Sequence, residues 1–264
     1  MKTTIALLTL LLAVPAVAFD DLRPRIEKIV ADTDATVGVS ALHVESGRRF
    51  SLRGDESFPL GSVYKLPVAV AFLRQVDQGK YSLGQEVTIT PDQFATGYSP
   101  LRDRAAGKPV TITLQRALEA MLAESDNTAG NLIERLAGNV DEPGTDTPDG
   151  MVAFLERFYR RQDGLSDRSH DLAMRILSRT PAGERRIRAG APRSARVAHK
   201  TGTLRGALND AGIVISPNGK DHLLIAVFTK GGREATTTQR ERTISTITRE
   251  IYRSFVEGRT GSRF

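Results

Sequence analysis

Gly61-Ser62-Val63-Tyr64-Lys65 opens the apolar run Leu66-Pro67-Val68-Ala69-Val70-Ala71-Phe72-Leu73, and the rest of the chain is read outward from it. A serine and a lysine three residues apart share one face of a helix, so an ammonium at Lys65 can reach a hydroxyl at Ser62. With the helix expected to begin near Ser62, its unpaired N–H groups and the positive end of its dipole surround that hydroxyl. An oxyanion forming there would meet backbone donors, the setting a nucleophile needs. Pro67 falls in the first turn or two, where its missing N–H does least harm. S-x-x-K by itself is common on surface helices, and its meaning depends on what accompanies it.

Upstream, residues 20–32 carry Leu22, Ile26, Ile29 and Val30 on one face among charges, which predicts an amphipathic helix. The runs 37–44 and 49–52, parted by Glu45-Ser46-Gly47, read as a β-hairpin, and 54–61 as a loop into the Ser62 helix, which ends near Gln78-Gly79. From there to about residue 190 the pattern is helical with loops. Helices are expected over 111–123 with Thr111 or Thr113 as cap, over 127–136, over 148–161 with Pro148 in the first turn, and over 169–179. After Pro192 the runs 196–200, 211–215 and 222–228 read as strands, the last two joined through Pro217-Asn218-Gly219. A long helix with Ile244, Ile247 and Ile251 on one side closes the chain over 236–256. The fold class is therefore α/β (α+β): an antiparallel sheet flanked by terminal helices, plus an all-helical lobe. The sheet lobe is expected over about 19–61 and 192–264 and the helical lobe over about 62–191, with a cleft between them.

Composition narrows the function. The 264 residues suffice for one large domain or two small ones, and the net charge of +6 comes from scattered Arg and Lys with no basic run among aromatics. Nucleic-acid binding has no support beyond that charge. Lys2, the apolar stretch Ile5 to Val14 and the small residues Ala16-Val17-Ala18 form a secretory signal pattern too short to span a membrane. Residues 1–18 are read as that signal peptide, with cleavage near Ala18, and 19–264 as the mature domain, periplasmic or secreted and monomeric. There is no cysteine, which excludes disulfides, thiol chemistry and a lipid anchor through an N-terminal Cys. His170, His199 and His222 lack metal-ligand spacing and are read as structural.

Two further motifs follow the first in order: Ser125-Asp126-Asn127 between two predicted helices, and Lys200-Thr201-Gly202-Thr203 ending a predicted strand. S-x-x-K, S-D-N and K-T-G in this order are the set of class A β-lactamases and penicillin-binding proteins. The chain resembles class A serine β-lactamases over nearly its whole mature length. Tyr98-Ser99-Pro100 looks like the family's tyrosine loop, 125–132 like its S-D-N-T-A-x-N-L helix start, and Arg186-Ile187-Arg188-Ala189 like the stretch where some members place a carboxylate-anchoring arginine.

The resemblance implies roles. Ser62 is the nucleophile that a β-lactam acylates, and Lys65, with its pKa lowered by cationic neighbours, acts as base. Ser125 relays a proton to the leaving nitrogen, supported by Lys200. The backbone N–H groups of Ser62 and Thr203 form the oxyanion hole. Thr201, Thr203 and Arg186 hold the substrate carboxylate, Arg186 through its fork of donors, Gly202 is substrate-binding beside them, Asn127 bonds the side-chain amide, and Tyr98 stands at the rim. No cofactor and no metal is implied. Other readings of three residues stand beside these: Asn127 as a helix cap, Arg186 as solvated surface in a charge run, and Tyr98 as an ordinary loop aromatic.

One part of the family pattern is missing. Its deacylation glutamate sits in an E-x-x-L-N motif after the S-D-N helix, and between Gly138 and Met151 no such motif occurs. Glu142-Pro143 matches only the Glu-Pro step, and Glu142 is read as an exposed loop carboxylate with deacylation base as the alternative. The implied activity is thus an exported serine hydrolase that opens β-lactams, with slow release of the acyl group. A D,D-peptidase acting on D-Ala-D-Ala peptides, and a sensor that is acylated without turnover, are the alternatives.

Overall fold

The computed structural model describes residues 22–138 and 144–258. The signal pattern at 1–18 and Glu142 both lie outside the described residues. In chain order the first elements are α1 (Leu22–Ala31), β1 (Thr36–His43), β2 (Arg49–Leu52), β3 (Phe58–Pro59), α2 (Lys65–Asp77), β4 (Glu86–Ile89), α3 (Pro100–Ala105) and β5 (Val110–Thr113). Then follow α4 (Leu114–Leu122), α5 (Asn127–Ala137), β6 (Thr145–Asp146), α6 (Pro148–Tyr159), α7 (Asp167–Leu177) and α8 (Ile187–Gly190). The chain closes with β7 (Arg196–Leu204), β8 (Ala207–Ile215), β9 (His222–Lys230) and α9 (Thr237–Phe255).

An antiparallel five-stranded sheet in the order β2-β1-β9-β8-β7 divides two cores. The alternation of side chains along β9 sends Leu224, Ala226 and Phe228 into one core and Leu223, Ile225 and Val227 into the other. That double burial explains why 222–228 is an unbroken apolar run and not an alternating one. One face carries α1 and α9 through Leu22, Ile26, Ile244, Ile247 and Ile251. The other packs on the helical residues, with Leu66, Val70, Leu118, Met121, Ile133 and Leu155 at the centre. Among the described residues no helix is long and apolar enough to cross a membrane.

Several local expectations change. Ser62 does not begin an α-helix. It lies in a 3-10 turn over Gly61–Tyr64, and α2 starts at Lys65, whose N–H donates to the Ser62 carbonyl. Gly61, with φ +53, opens that turn in a left-handed conformation that favours glycine. The expected helix over 111–123 begins only at Leu114, capped by Thr113. Thr111 belongs instead to β5, which pairs with β4. Both strands are rich in β-branched residues but only four residues long and mostly half-exposed, so their period is hard to read. The loop expected over 54–61 contains β3, paired with β6 on the far side of the shortened loop. Beside it the Leu60 N–H donates to the Gly144 carbonyl at 3.0 Å, so the chain re-enters alongside the segment leading to Ser62.

Candidate active site

The three motifs meet where the 3-10 turn packs against the end of β7. Gly61 makes the approach possible: a Cβ there would stand 3.1 Å from the Thr203 nitrogen. Gly202 answers from the other side, since a Cβ on it would lie 2.1 Å from the Leu60 carbonyl oxygen. Backbone faces backbone at that point, and no rotamer change relieves the clash. Gly202→Ala is therefore expected to destabilise the fold by about 3 kcal/mol and to lower Tm by about 6–12 °C. Scanning calorimetry checks this, and an unchanged Tm would mean that β7 can draw away from the turn at no cost.

Asn209 fastens the same junction from β8. Its Nδ2 donates to the Pro59 and Leu60 carbonyls, the latter at 3.2 Å, while its Oδ1 accepts from the Thr229 N–H at 2.9 Å. Three strands and the Ser62 turn are thus tied by one buried amide, with both its donor and its acceptor used.

Beneath the turn lie two buried lysines. Lys65, at the first position of α2, donates from Nζ to the Ser125 carbonyl at 2.8 Å, to Asn127 Oδ1 at 2.8 Å and to the Asp126 carbonyl at 3.3 Å. Lys200 donates from Nζ to Ser125 Oγ at 2.9 Å and to the Thr201 carbonyl at 3.0 Å. Burial first, and then the Lys65 ammonium, hold the Lys200 pKa well below the usual lysine range. Asp210 opposes that shift and Arg186 adds to it. Lys65 is thus one of the charges that act on Lys200. Ser62, Ser125 and Asn127 are all partly exposed above this buried pair.

The loop between α4 and α5 is held in an unusual backbone state. Ser125 has φ +58, a left-handed conformation that a serine adopts only when its surroundings impose it. Asp126 supplies the restraint. Its buried carboxylate caps α5 at the Ala129 N–H (2.9 Å), accepts from the Leu101 N–H (2.6 Å) and lies 3.0 Å from Ser99 Oγ. The cap of α5 is thus Asp126, which corrects the reading of Asn127 as the cap. Asn127 is free to turn its side chain to Lys65. Its own N–H donates to the Tyr98 carbonyl at 3.0 Å, which pins the tyrosine loop to α5 and leaves Tyr98 64% exposed.

Arg186 is not surface. It is only 7% exposed, which overturns its reading as a solvated member of a charge run. Its guanidinium donates to the Gly202 carbonyl at 3.2 Å, the Asn209 carbonyl at 3.0 Å and Thr203 Oγ1 at 2.9 Å. Burial lowers its pKa, while Asp210 and, at 3.7 Å, Glu241 counter that shift. It reaches the site from below and presents charge at Thr203. Thr201 is buried, with its methyl group against Gly183.

Sequence reasoning overlooked Asp126 as the keystone of its motif, and also Asn209 and Asp210. Asp210 accepts from the Ile187 N–H at 3.1 Å and lies 2.9 Å from His199 Nδ1, with which it forms a buried pair behind Lys200 and Arg186. Their signal was faint but present: Asn209-Asp210 interrupts an otherwise apolar strand, and buried polar pairs in a strand need partners.

The arrangement offers two accessible hydroxyls over two buried lysines, beside backbone N–H groups at the end of a strand. Such a site can generate an alkoxide, stabilise an anion and hold a carboxylate.

Comparison with known proteins bears on the same region. A model described as "Beta-lactamase enzyme family" matches residues 21–143 and 137–255. The chain is 29% identical to "Beta-lactamase VEB-1" of Pseudomonas aeruginosa over 266 residues, covering 86% of this chain and 88% of that protein. The crystal structure of a beta-lactamase from Chitinophaga pinensis superposes with a TM-score of 0.81 at 29% identity, covering 88% of this chain and 98% of the other. A representative of class A beta-lactamase from Bacteroides cellulosilyticus gives a TM-score of 0.81 at 26% identity over 89% of this chain and 97% of its own.

Proposed function

The chain belongs to the beta-lactamase enzyme family, class A, and on that premise we propose that it hydrolyses β-lactams through an acyl-enzyme at Ser62 that is released slowly. Ser62 Oγ attacks the lactam carbonyl, its proton passes to Lys65 in its neutral amine form, and the oxyanion is met by the N–H groups of Ser62 and Thr203. The C–N bond then breaks, Ser125 gives its proton to the nitrogen and takes back the one that Lys65 accepted, and Lys200 supports the transfer electrostatically. Arg186, Thr201 and Thr203 hold the substrate carboxylate, Gly202 lets the strand come close, and Asn127 with Tyr98 borders the substrate side chain. The observation that carries this reading is the junction at Ser125. Lys200 reaches its hydroxyl and Lys65 its carbonyl, so both lysines converge on the residue that protonates the leaving nitrogen.

Deacylation is the slow step, because the family's E-x-x-L-N motif is absent and a general base is worth about a hundredfold or more. The catalytic domain spans residues 19–264, and the hydrolase acts outside the cytoplasm, a placement supported by the signal pattern at 1–18.

The test is a rapid-mixing experiment with a chromogenic cephalosporin, read by product release and intact mass together. We expect a burst of one equivalent, a serine adduct, and a slow steady phase. Fast release without an adduct would overturn the slow step; cleavage of D-Ala-D-Ala peptides without β-lactam turnover would favour the peptidase reading. Glu142→Gln belongs in the same experiment. A fall of about a hundredfold in the slow phase would assign water activation to Glu142, and an unchanged phase would leave it an exposed carboxylate.

A further inference from the structure

At the end of the sheet away from the Ser62 turn, two hairpins bring a histidine and two carboxylates together. The distance from the first site follows from register. Asp210, behind Lys200, pairs with Val227, whereas His222 pairs with Ile215, about 17 Å back along β9. His43 closes β1, Glu45 lies in the turn after it, and Asp221 ends the turn before β9. His43 Nε2 is 3.3 Å from Glu45 Oε2 and 3.2 Å from Asp221 Oδ1, and the three ligand atoms lie within 4.8 Å of one another. The ring is fully buried while both carboxylates are partly exposed, so the cluster opens toward solvent on its oxygen side.

Each member is held in place. His43 Nδ1 is 2.7 Å from Ser46 Oγ. The Glu45 carboxylate accepts from the His222 N–H at 2.9 Å and lies 2.7 Å from its Nδ1. Burial tends to raise the Glu45 pKa, but these His222 contacts outweigh it and keep the group below its ordinary range. The Asp221 N–H donates to Ser216 Oγ at 3.0 Å, and the Val44 N–H to the His222 carbonyl at 3.0 Å, so the two turns are laced together.

We propose that His43, Glu45 and Asp221 form a binding site for a divalent ion of the zinc type, with water completing the coordination. Zinc bonds of about 2.0–2.1 Å in a tetrahedral arrangement put neighbouring ligand atoms about 3.3–3.4 Å apart, close to the spacing of Nε2 from each carboxylate oxygen here. One imidazole with two carboxylates suits zinc and its first-row neighbours; calcium and magnesium favour shells made of oxygen. Ser46 on the other ring nitrogen is the outer partner that fixes a metal-binding histidine. The ion would tie the β1–β2 turn to the β8–β9 turn, which makes the site a clamp on the sheet, remote from the hydrolytic chemistry. The sequence hid it because His43 and Asp221 are 178 positions apart.

The experiment uses the tag-free, chelator-stripped full chain, titrated with zinc chloride by calorimetry and followed by thermal melting. One equivalent should bind, Tm should rise by about 5 °C or more at a hundredfold excess over Kd, and the rate of β-lactam hydrolysis should stay the same. Glu45→Gln and Asp221→Asn, both at partly exposed positions, should fold as wild type and bind zinc at least about tenfold more weakly. His43→Gln should abolish binding. Absence of saturable binding in the wild type would overturn the proposal and leave His43 hydrogen-bonded between the two carboxylates. Wild-type affinity in Glu45→Gln and Asp221→Asn would overturn it equally, by placing the zinc elsewhere.

Discussion

Ser62→Ala is expected to lower kcat/KM for a chromogenic cephalosporin by at least about 10^4-fold, and no adduct should form with a penicillin. The size of the effect follows from covalent catalysis: without the hydroxyl no acyl-enzyme exists, and only binding and the oxyanion donors remain. The fold should be nearly indifferent. Ser62 is partly exposed on a short turn whose shape is set by Gly61, by the Leu60 and Asn209 contacts and by the start of α2. Tm should move by no more than about 2–4 °C, the shift of roughly 1 kcal/mol in a domain of this size. Steady-state rates, intact mass and a melting curve on one preparation decide it. A rate within tenfold of wild type, or a surviving covalent adduct, would remove Ser62 as the nucleophile.

Lys65→Met is expected to reduce both rate and stability, and this distinguishes it from Ser62→Ala. Acylation should slow by about 10^2–10^4-fold, the usual worth of a positioned base. Stability should fall because the Ser125 carbonyl, the Asp126 carbonyl and Asn127 Oδ1 lose a shared donor in a buried place. Each unsatisfied acceptor costs about 1–3 kcal/mol, and relief from burying an ammonium beside Lys200 offsets part of that total. A net loss of about 2–4 kcal/mol, or roughly 5–15 °C in Tm, is the expected result. The strained Ser125 should relax with it, since its carbonyl is one of the three acceptors. Lys65→Arg should not rescue the protein: a Cβ at Gly130 would already lie 3.2 Å from Lys65 Cε, so the tunnel is cut for a narrow chain. Single-turnover acylation rates and denaturant unfolding measure the two effects separately. A variant with slow acylation but wild-type stability would show that Lys65 is not the brace of the 125–127 loop.

How far the sequence could be read depended on the range of the interactions. Period and length marked α1, α5, α6 and α9, because those helices show one apolar stripe to one core. The apolar run of β9 marked a strand, and only the two closed cores showed that it is buried on both faces. The pairs β3–β6 and β4–β5 escaped notice: two to four residues carry too little pattern, and their partners lie far off in the chain. The 3-10 turn at Ser62 went unforeseen for a related reason. Its geometry is decided by how closely Gly61 can approach Thr203, a contact across 142 positions of chain.

The sequence by itself determined the order of the longer elements, the antiparallel sheet with its terminal helices and the three short motifs, since period, apolar runs and local spacing are properties of neighbouring residues. Only the tertiary structure decided what those motifs do to one another. It placed Arg186 under Thr203 and not in solvent, gave the α5 cap to Asp126, turned Asn127 toward Lys65, and set two lysines within one buried volume. Burial, charge coupling and hydrogen-bond partnership depend on distances between segments that are remote in the chain, and those distances exist only once both cores have closed around the sheet.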